Sequence, residues 1–364
     1  MPAYDDKIKE LEEQISKTKY NKKTQHAIGL YKAQLARLKE TQLKRSSGGK
    51  KGEGYSVKKS GDATVILCGF PSVGKSTLLN SLTGTESRVG AYAFTTLTVI
   101  PGLLEYKHAK IQVLDVPGIV HGAASGRGRG TEVLAVMRTA DLAIVLIDVN
   151  YPGHLKVLKK EIYEAGLRLD ERLPDVKIVK KSRGGVDIAS TVKLTKTDFD
   201  TIKDVLREFR IHNADVVIRQ DISIDQLIDV VEANKIYIPS LVVLNKIDMV
   251  PEKKLEELKK NLKPDVCVSA EEKLNIDGLK DAIFYKLNFI RVYTKEAGKK
   301  ADMDVPMIMK GGSTIKDMCD KLHRDFVNKF RFARVWGKSA KFPGQKFTLN
   351  HRIMDGDVVE VHLR

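Results

Sequence analysis

The sequence contains little cysteine, and no apolar run in it is long enough to cross a membrane. Only three cysteines occur among 364 residues, at Cys68, Cys267 and Cys319. Their scattered positions lack the short spacing of a zinc site, and they argue against a disulfide framework, so we expect three buried thiols. No segment approaches the roughly 20 apolar residues that span a bilayer, and residues 1–10 are charged, unlike a signal peptide. We therefore expect a cytoplasmic protein without membrane contact.

Acidic residues are too few to balance the basic ones, which leaves a formal net charge of +16. Residues 1–60 contain 15 Lys/Arg and 7 Asp/Glu, and residues 299–364 contain 14 and 8. The 238 residues between these ends therefore carry a net charge of only +2. Basic ends around a nearly neutral middle predict contact with a polyanion, and RNA is the leading candidate. Charge that serves only solubility is the alternative.

Residues 69–76 fit the pattern G-x-x-x-x-G-K-[S/T] and follow a short apolar run. A strand, a Gly-flanked turn and a helix that begins near Lys75 form a nest of backbone N–H groups for phosphate. We expect Lys75 to reach the β- and γ-phosphates and the Ser76 hydroxyl to bind Mg²⁺. An ordinary Gly-rich turn is the alternative. The predicted nucleotide contacts of this loop are Gly69, Phe70, Pro71, Ser72, Val73, Gly74, Lys75, Ser76 and Thr77.

An Asn-Lys-x-Asp tetrad ends a second strand-like run further along the chain. A carboxylate at Asp248 can accept hydrogen bonds from the N1–H and 2-amino groups that guanine has and adenine lacks, so such a site rejects adenine. We expect Asn245 to brace the loop and the stem of Lys246 to lie over the base. The backbone at Ser269 and Ala270 is suited to donate to the guanine O6. These motifs, in this order, predict a guanine nucleotide.

Two segments between these motifs predict contacts to the γ-phosphate and to its metal. Asp115 closes a strand and opens a D-x-x-G tetrad, so it can hold Mg²⁺ through water while the Gly118 N–H contacts the γ-phosphate. Upstream, Thr95 and Thr96 lie in a segment that can bring a threonine hydroxyl to Mg²⁺; a pair on an edge strand is the alternative. Loops of this kind are ordered by γ-phosphate and Mg²⁺ and released on hydrolysis.

The residue after the D-x-x-G tetrad departs from Ras-like enzymes, which place a water-orienting glutamine there. Ile119 and Val120 cannot position water, so intrinsic hydrolysis should be slow, or be assisted by another group, a cation or a partner. Arg127 and Arg129 lie in a Gly-rich stretch and could supply charge. Solvated side chains, or contacts to RNA or a partner, are the favoured alternative for both.

The motifs resemble the Obg-related translation GTPases and, more narrowly, the developmentally regulated GTP-binding (DRG) family of archaea and eukaryotes. The resemblance extends over the whole chain and rests on residues 69–76, 93–98, 115–119, 211–215, 237–239 and 334–337. It implies that Thr96 is a Mg²⁺ ligand, that the ribosome is a partner, and that a hydrophobic residue replaces the glutamine. Potassium-using relatives often carry Asn where this chain has Ser72, which leaves potassium (K⁺) stimulation undecided. Eukaryotic relatives also bind a dedicated partner protein.

The sequence predicts an α/β fold, a P-loop GTPase domain with a parallel-type sheet, in a chain of four parts. Residues 1–45 predict a helical hairpin whose narrow apolar stripe packs on another domain or a partner, and residues 46–61 a flexible linker. Residues 62–298 form the GTPase domain. Residues 299–364 outline a small β-grasp that resembles TGS domains.

The spacing inside the GTPase domain indicates an insertion. Asp115 and Asn245 lie 130 positions apart, about 70 more than two βα units of roughly 30 residues need. We therefore expect an inserted α+β subdomain at about 165–235. DRG relatives carry a subdomain there that resembles ribosomal protein S5.

Aromatic and cationic residues alternate near the end of the chain. Exposed rings there could stack on unpaired bases while the cations meet phosphate. So small a sheet, however, needs most of these rings for its core, which is the favoured alternative. The rings are Phe326, Phe330, Phe332, Trp336, Phe342 and Phe347.

These predictions describe a GTPase that binds GTP and GDP with Mg²⁺ and hydrolyses GTP slowly. It would act, as a monomer, in a switch associated with the ribosome or RNA in translation. The predicted catalytic residues are Lys75, Thr96 and Gly118, and the predicted metal ligands are Ser76, Thr96 and, through water, Asp115. The alternative is an RNA-binding scaffold in which GTP is a structural ligand with negligible turnover.

Overall fold

The structure is a computed structural model, and it describes residues 2–19, 21, 24–46, 61–83, 100–115, 136–296 and 298–364. Several predicted features lie outside these residues: most of the linker, the threonine pair, the second half of the D-x-x-G tetrad with the two residues after it, and the two arginines. Their residues are 47–60, Thr95, Thr96, Gly118, Ile119, Val120, Arg127 and Arg129.

The described elements alternate between helix and strand through most of the chain. The helices are α1 (Pro2–Lys17), α2 (Gln25–Ser46), α3 (Lys75–Thr83), α4 (His154–Glu164), α5 (Phe199–Glu208), α6 (Ile224–Glu232), α7 (Glu252–Leu262), α8 (Ile276–Lys286), α9 (Ile315–Leu322) and α10 (Arg324–Lys329). The strands are β1 (Ala63–Cys68), β2 (Ile100–Tyr106), β3 (Ala109–Asp115), β4 (Leu142–Asp148), β5 (Leu167–Leu169), β6 (Val176–Lys180), β7 (Val186–Ser190), β8 (Ala214–Ile218), β9 (Ile236–Ile238), β10 (Ser240–Asn245), β11 (Val266–Cys267), β12 (Phe289–Thr294), β13 (Met307–Lys310), β14 (Phe330–Trp336), β15 (Gln345–Phe347) and β16 (Val358–Leu363).

The chain divides into two compact units. One contains the described residues up to 46 together with Glu161–Tyr237, and the other contains the remaining described residues. None of the described helices is both long enough and apolar enough to cross a bilayer.

The larger unit is built on a sheet with the strand order β11-β10-β4-β1-β3-β2, in which only the β2–β3 pair is antiparallel. Every residue of β1, β4 and β10 is buried. Their Val, Ile and Leu runs favour such central strands because helices cover both faces of a parallel sheet. In this register Asn245 lies beside Asp148 and Leu67 beside Asp115. The carboxyl ends of these strands therefore gather the predicted site residues at one edge.

The same unit continues into a second sheet with the strand order β13-β12-β16-β14-β15. Val292, Val335 and Val359 pack on its inner face against Ile315 and Met318 of α9. Strand β12 lies before residue 299, where the sequence predicts the start of the β-grasp. Two ion pairs join this part to the first sheet at the amino-terminal ends of its strands: Lys310–Asp141 at 2.7 Å and Lys321–Asp62 at 2.8 Å.

The smaller unit combines the helical hairpin with the inserted subdomain. The insertion forms a sheet with the order β6-β8-β7, antiparallel between β6 and β8 and parallel between β7 and β8, covered by α5 and α6. Ala33 of α2 is fully buried in that core. His26 Nε2 lies 2.8 Å from Asp204 Oδ2, and Lys32 pairs with Asp225 at 2.6 Å. The narrow stripe of α2 is therefore covered by the insertion.

Together these features confirm the predicted fold class: a mixed α/β chain with a P-loop-type sheet, an α+β insertion, amino-terminal helices and a carboxyl-terminal β-grasp. Among the thiols, Cys68 and Cys319 are buried as expected. Burial raises the pKa of the Cys68 thiol to about 12. Cys267 lies on the two-residue edge strand β11 and is only partly buried.

Candidate nucleotide-binding site

The loop between β1 and α3 adopts a conformation that requires special backbone angles. Ser72 has φ of 63° and Gly74 has φ of 94°. A Cβ at Gly74 would lie 2.5 Å from Asn245 Nδ2, so only glycine fits there. Lys75 Nζ donates to the carbonyl oxygens of Gly69 and Phe70, each at 3.1 Å. Among the described residues, the Lys75 ammonium group therefore has neutral carbonyl oxygens as its hydrogen-bond acceptors.

A serine and an aspartate meet beside this loop. Ser76 Oγ donates to Asp115 Oδ2 at 2.9 Å. Asp115 is only 5% exposed, and within the described part of the chain its other oxygen, Oδ1, is buried without a hydrogen-bond partner. An unpaired buried carboxylate oxygen is costly, and hydroxyl and carboxylate oxygens are the donors that Mg²⁺ takes. These two side chains therefore fit a Mg²⁺ ion.

Asn245 joins the two predicted motifs through its side-chain amide. Its Nδ2 donates to the Val73 carbonyl oxygen at 2.9 Å, and its Oδ1 accepts from the Ala270 N–H at 3.0 Å. Asn245 is only 1% exposed, so water competes little for these bonds. One buried amide thus fixes the phosphate loop against the two loops that follow β10 and β11.

Lys246 is held by a residue that the sequence did not single out. Its Nζ donates to the Ser72 carbonyl oxygen at 2.8 Å and pairs with Asp148 Oδ2 at 2.8 Å. Burial by itself would raise the pKa of Asp148, but the Lys246 ammonium and the Asn150 N–H outweigh it and lower that pKa. Asp148 could have been singled out because it is a carboxylate at the carboxyl end of a fully buried strand, and ligand sites form at the carboxyl ends of parallel strands.

The remaining guanine-site residues are placed as follows. Asp248 is exposed, on the single 3-10 turn Ile247–Met249. Ser269 is buried; its N–H donates to the Leu274 carbonyl oxygen, and its Oγ accepts from the Glu272 N–H. The N–H groups of Ser269 and Ala270 thus have acceptors within the protein, and donation to the guanine O6 stays a prediction.

The rings of His154 and Tyr151, which the sequence did not single out, lie in a row with the ring of Phe70 in the phosphate loop. The Phe70 and His154 centroids are 4.2 Å apart, and those of His154 and Tyr151 are 5.1 Å apart. Tyr151 is 59% exposed. Pro71 is exposed in the turn and Thr77 is half-buried in α3.

Three family models match the chain in succession. The model described as a 50S ribosome-binding GTPase covers residues 64–181, the C-terminal region of the MMR_HSR1 domain covers residues 183–289, and the TGS domain covers residues 290–363. Developmentally-regulated G-protein 3 of Arabidopsis thaliana is 45% identical and covers 98% of this chain and 97% of its own length. Developmentally-regulated GTP-binding protein 1 of Xenopus laevis is 43% identical, with 98% coverage of both. The chain belongs to the DRG family.

A third relative is closer in sequence than these two. The uncharacterised GTP-binding protein of Methanocaldococcus jannaschii is 56% identical over 99% of this chain and 93% of its own length. Membership in the DRG family makes this chain a GTP-binding protein with a P-loop GTPase domain followed by a TGS domain. The family and fold predicted from the sequence are thereby confirmed.

Solved structures resemble the chain only loosely. The YchF GTPase of Schizosaccharomyces pombe matches with a TM-score of 0.45 and 12% identity, over 84% of this chain and 99% of that one. Aquifex aeolicus Era bound to GDP and AlF4- matches with a TM-score of 0.34 and 21% identity, over 75% and 71%. Such distant matches add nothing to the functional assignment.

Proposed function

We propose that this protein hydrolyses GTP to GDP and phosphate with Mg²⁺, slowly when alone, and that its nucleotide state governs association with the ribosome or RNA. The observation that carries the hydrolytic part is the Ser76–Asp115 pair. Its buried Asp115 Oδ1 has no hydrogen-bond partner among the residues that the structure describes, and its Oδ2 is already oriented by Ser76. A carboxylate held in this way favours a divalent cation next to a bound triphosphate.

The residues of the phosphate loop have distinct proposed roles. Phosphate oxygens would replace the Gly69 and Phe70 carbonyls at Lys75 Nζ, because a charge-assisted hydrogen bond is stronger than one to a neutral acceptor. The amino-terminal end of α3 adds its positive dipole to the same oxygens. Ser76 and Asp115 would hold Mg²⁺, which neutralises charge on the β- and γ-phosphates.

Other proposed roles rest on the sequence. Thr96 is proposed as a further ligand of the metal, and the Gly118 N–H as a contact to the γ-phosphate. Ile119 cannot orient the attacking water, so turnover by the protein alone should be slow. K⁺, a protein partner or the ribosome could supply the missing group, and each is a separate arm of the experiment below.

Single-turnover hydrolysis of GTP tests the enzymatic part. We expect slow, Mg²⁺-dependent phosphate release from the full chain, measured with and without K⁺ and ribosomes. Ser76→Ala should raise the Mg²⁺ requirement by at least roughly 10-fold, because even the loss of a residue that only supports a metal ligand typically costs about 10- to 100-fold. Ser182→Ala, at an exposed serine of the insertion, is the matched control. No phosphate release in any arm would favour the RNA-binding scaffold instead.

The basic ends of the chain support the ribosome or RNA part of the proposal. Removing residues 1–60 would be a poor test, because Ala33 lies in the core of the insertion. Neutralising exposed lysines avoids this problem. Lys7→Gln with Lys9→Gln on α1 can be compared with Lys253→Gln and Lys254→Gln on α7, all exposed.

Sedimentation with ribosomes reports the result of that comparison. We expect more protein in the ribosomal pellet with a non-hydrolysable GTP analogue than with GDP. The α1 variants should reduce that fraction and the α7 variants should not. Sedimentation that is identical with GTP analogue, GDP and no nucleotide would contradict a nucleotide-governed switch.

A further inference from the structure

The carboxyl-terminal sheet has an outer face that its own core does not use. Side chains alternate across a strand, and Ala333 and Val335 of β14 point into the core. The intervening residues of β14 therefore lie on the other side. Their cross-strand neighbours are His362 for Phe332, Glu360 and Lys346 for Arg334, and Val358 for Trp336. We call these residues, with Lys295 directly after β12, the outer sheet face.

Aromatic rings and cations are interleaved on the outer sheet face. The ring of Phe332 stacks on His362 with centroids 4.3 Å apart, and Lys346 Nζ lies 4.8 Å from the Phe332 centroid. Lys295 Nζ lies 4.1 Å from the Trp336 ring centroid. Both rings are half-buried in the described structure, so each retains accessible surface. A lysine ammonium group therefore lies over each ring and brings positive charge to it.

The charge of the outer sheet face is net positive. Glu360 is its single carboxylate among the cross-strand positions just named; it pairs with Lys295 at 2.6 Å, and His362 Nε2 lies 2.6 Å from it. Glu360 is only 3% exposed, so it presents little negative charge to a ligand. Within the described residues, neither Arg334 nor Lys346 forms an ion pair with a carboxylate. Two cations are therefore available to an anionic ligand.

The loop after β14 extends this surface. Phe342 is 59% exposed, whereas Phe326, Phe330 and Phe347 pack against the core of the domain. Lys338 and Lys341, on the same loop, are exposed as well. An exposed phenylalanine that directly follows an exposed lysine, with a second exposed lysine four residues before it, repeats on the loop the combination of ring and cation that the sheet carries.

We propose that the outer sheet face and Phe342 bind single-stranded RNA, with bases stacked on the rings and phosphates held by Arg334 and Lys346. The inference rests on the proposed association with RNA and names the surface responsible. Unpaired bases match exposed rings because every base has a π-face, and the backbone supplies the negative charge that the cations require. Two other anionic ligands fit less well. Duplex RNA buries its bases, so they cannot stack on the aromatic rings, and an acidic peptide has no bases.

Removing cations tests the phosphate contacts. The probe is a fluorescent 15-nucleotide single-stranded RNA of mixed sequence, titrated with full-length protein across a range of salt concentrations. Arg334→Gln with Lys346→Gln should lower the slope of log Kobs against log salt by about 1.4, since each contact to single-stranded RNA contributes about 0.7. If wild type and variant bind equally at 1 M salt, this difference in slope makes the variant bind about 25-fold more weakly than wild type at 0.1 M salt. Lys253→Gln with Lys316→Gln, on α7 and α9, is the matched control.

Removing a ring tests the stacking contacts separately. Phe342→Ala should weaken binding between about five-fold and about a hundred-fold, the range for losing one stacked base, and should leave the salt slope unchanged. Phe199→Ala, at a phenylalanine of the insertion that is 46% exposed, is the control and should bind like wild type. Equal melting temperatures and GDP affinities would show that each variant is folded.

The outcomes separate this inference from the function on which it rests. Wild-type protein that binds neither RNA nor ribosomes would overturn both. A second outcome is that wild-type protein binds RNA while every variant of the outer sheet face and of Phe342 keeps the wild-type affinity and salt slope. That result would overturn only the surface assigned here. Duplex RNA bound as tightly as single strands, or polyglutamate competing as well as RNA, would replace base stacking with a purely electrostatic contact and would also overturn it.

Discussion

The side-chain amide of Asn245 donates to the Val73 carbonyl oxygen across 2.9 Å and accepts from the Ala270 N–H across 3.0 Å. Asn245 therefore links the phosphate loop to both segments predicted to contact guanine. Since the amide is almost fully buried, water cannot easily replace either bond. We expect the affinity for phosphate and the affinity for the base to depend on each other through this residue.

Replacing Asn245 with alanine should weaken GDP binding and destabilise the protein together. The change leaves a buried carbonyl and a buried N–H without partners, which costs about 1–3 kcal/mol for each group. Urea unfolding and fluorescent GDP titration measure the two effects. Asn261→Ala, at an exposed position of α7, should change neither quantity. Normal GDP affinity in Asn245→Ala would contradict the linking role.

A methyl group at Gly74 should have a similar consequence by a different route. The alanine Cβ would meet Asn245 Nδ2 at 2.5 Å, and φ of 94° disfavours any side chain. Backbone strain of this kind costs about 1–3 kcal/mol, so Gly74→Ala should lower both the melting temperature and the affinity for GDP. Gly153→Ala is the matched control, because a Cβ there meets nothing within 4 Å. Equal behaviour of the two variants would exclude the clash.

Much of the nucleotide site could be predicted because its signals are local. The phosphate loop combines a glycine pattern, a preceding strand and a following helix within a few residues. For Asp148 the local signal is incomplete: its position at the carboxyl end of a buried strand marks it as a candidate but does not give its partner. Its role arises only when β4 lies beside β10, which brings it to Lys246. A contact between residues so far apart in sequence leaves no local pattern.

The carboxyl-terminal domain shows a second limit of sequence reasoning. The sequence predicts one helix over residues 314–329. The structure has two, α9 and α10, because the backbone is extended at His323, which has φ of −166°. His323 ends α9, and its Nδ1 accepts from the Asp325 N–H to begin α10. Helical periodicity does not report such a cap.

The Asp148–Lys246 pair should make stability depend on pH. The pKa of Asp148 is lowered in the folded protein, so its contribution is fully present above the usual carboxyl pKa of about 4 and is lost as pH falls through the lowered value. Asp148→Asn should therefore be less stable than wild type at pH 7, and the difference should shrink below about pH 4. Urea unfolding at several pH values measures this difference.

An exposed pair provides the control for that pH series. Asp277 is 87% exposed and lies 3.0 Å from Lys280, so Asp277→Asn should change stability little at any pH. Asp148→Asn should also release GDP faster at pH 7, because Lys246 loses one of its two anchors. A difference from wild type that stayed constant below pH 4 would assign the effect to packing rather than to charge.

Breaking the buried Arg168–Asp229 ion pair should strongly lower the free energy of unfolding of the smaller unit. Arg168 Nε and Nη2 donate to the two carboxylate oxygens at 2.6 and 2.8 Å, and both side chains are 4% exposed. The guanidinium also lies 3.6 Å from the Tyr163 ring centroid. Asp229→Ala would leave a buried cation without its carboxylate, which typically costs about 3–5 kcal/mol.

Urea unfolding followed by circular dichroism measures that loss. Asp187→Ala, which breaks an exposed pair with Lys181 on the same subdomain, should cost well under 1 kcal/mol. Replacing both partners, with Arg168→Met and Asp229→Leu, should recover much of the stability lost in Asp229→Ala, because apolar side chains of similar size remove the unpaired charge. A double variant no more stable than Asp229→Ala would mean that the hydrogen-bond geometry of the pair, rather than its buried charge, determines the stability of this unit.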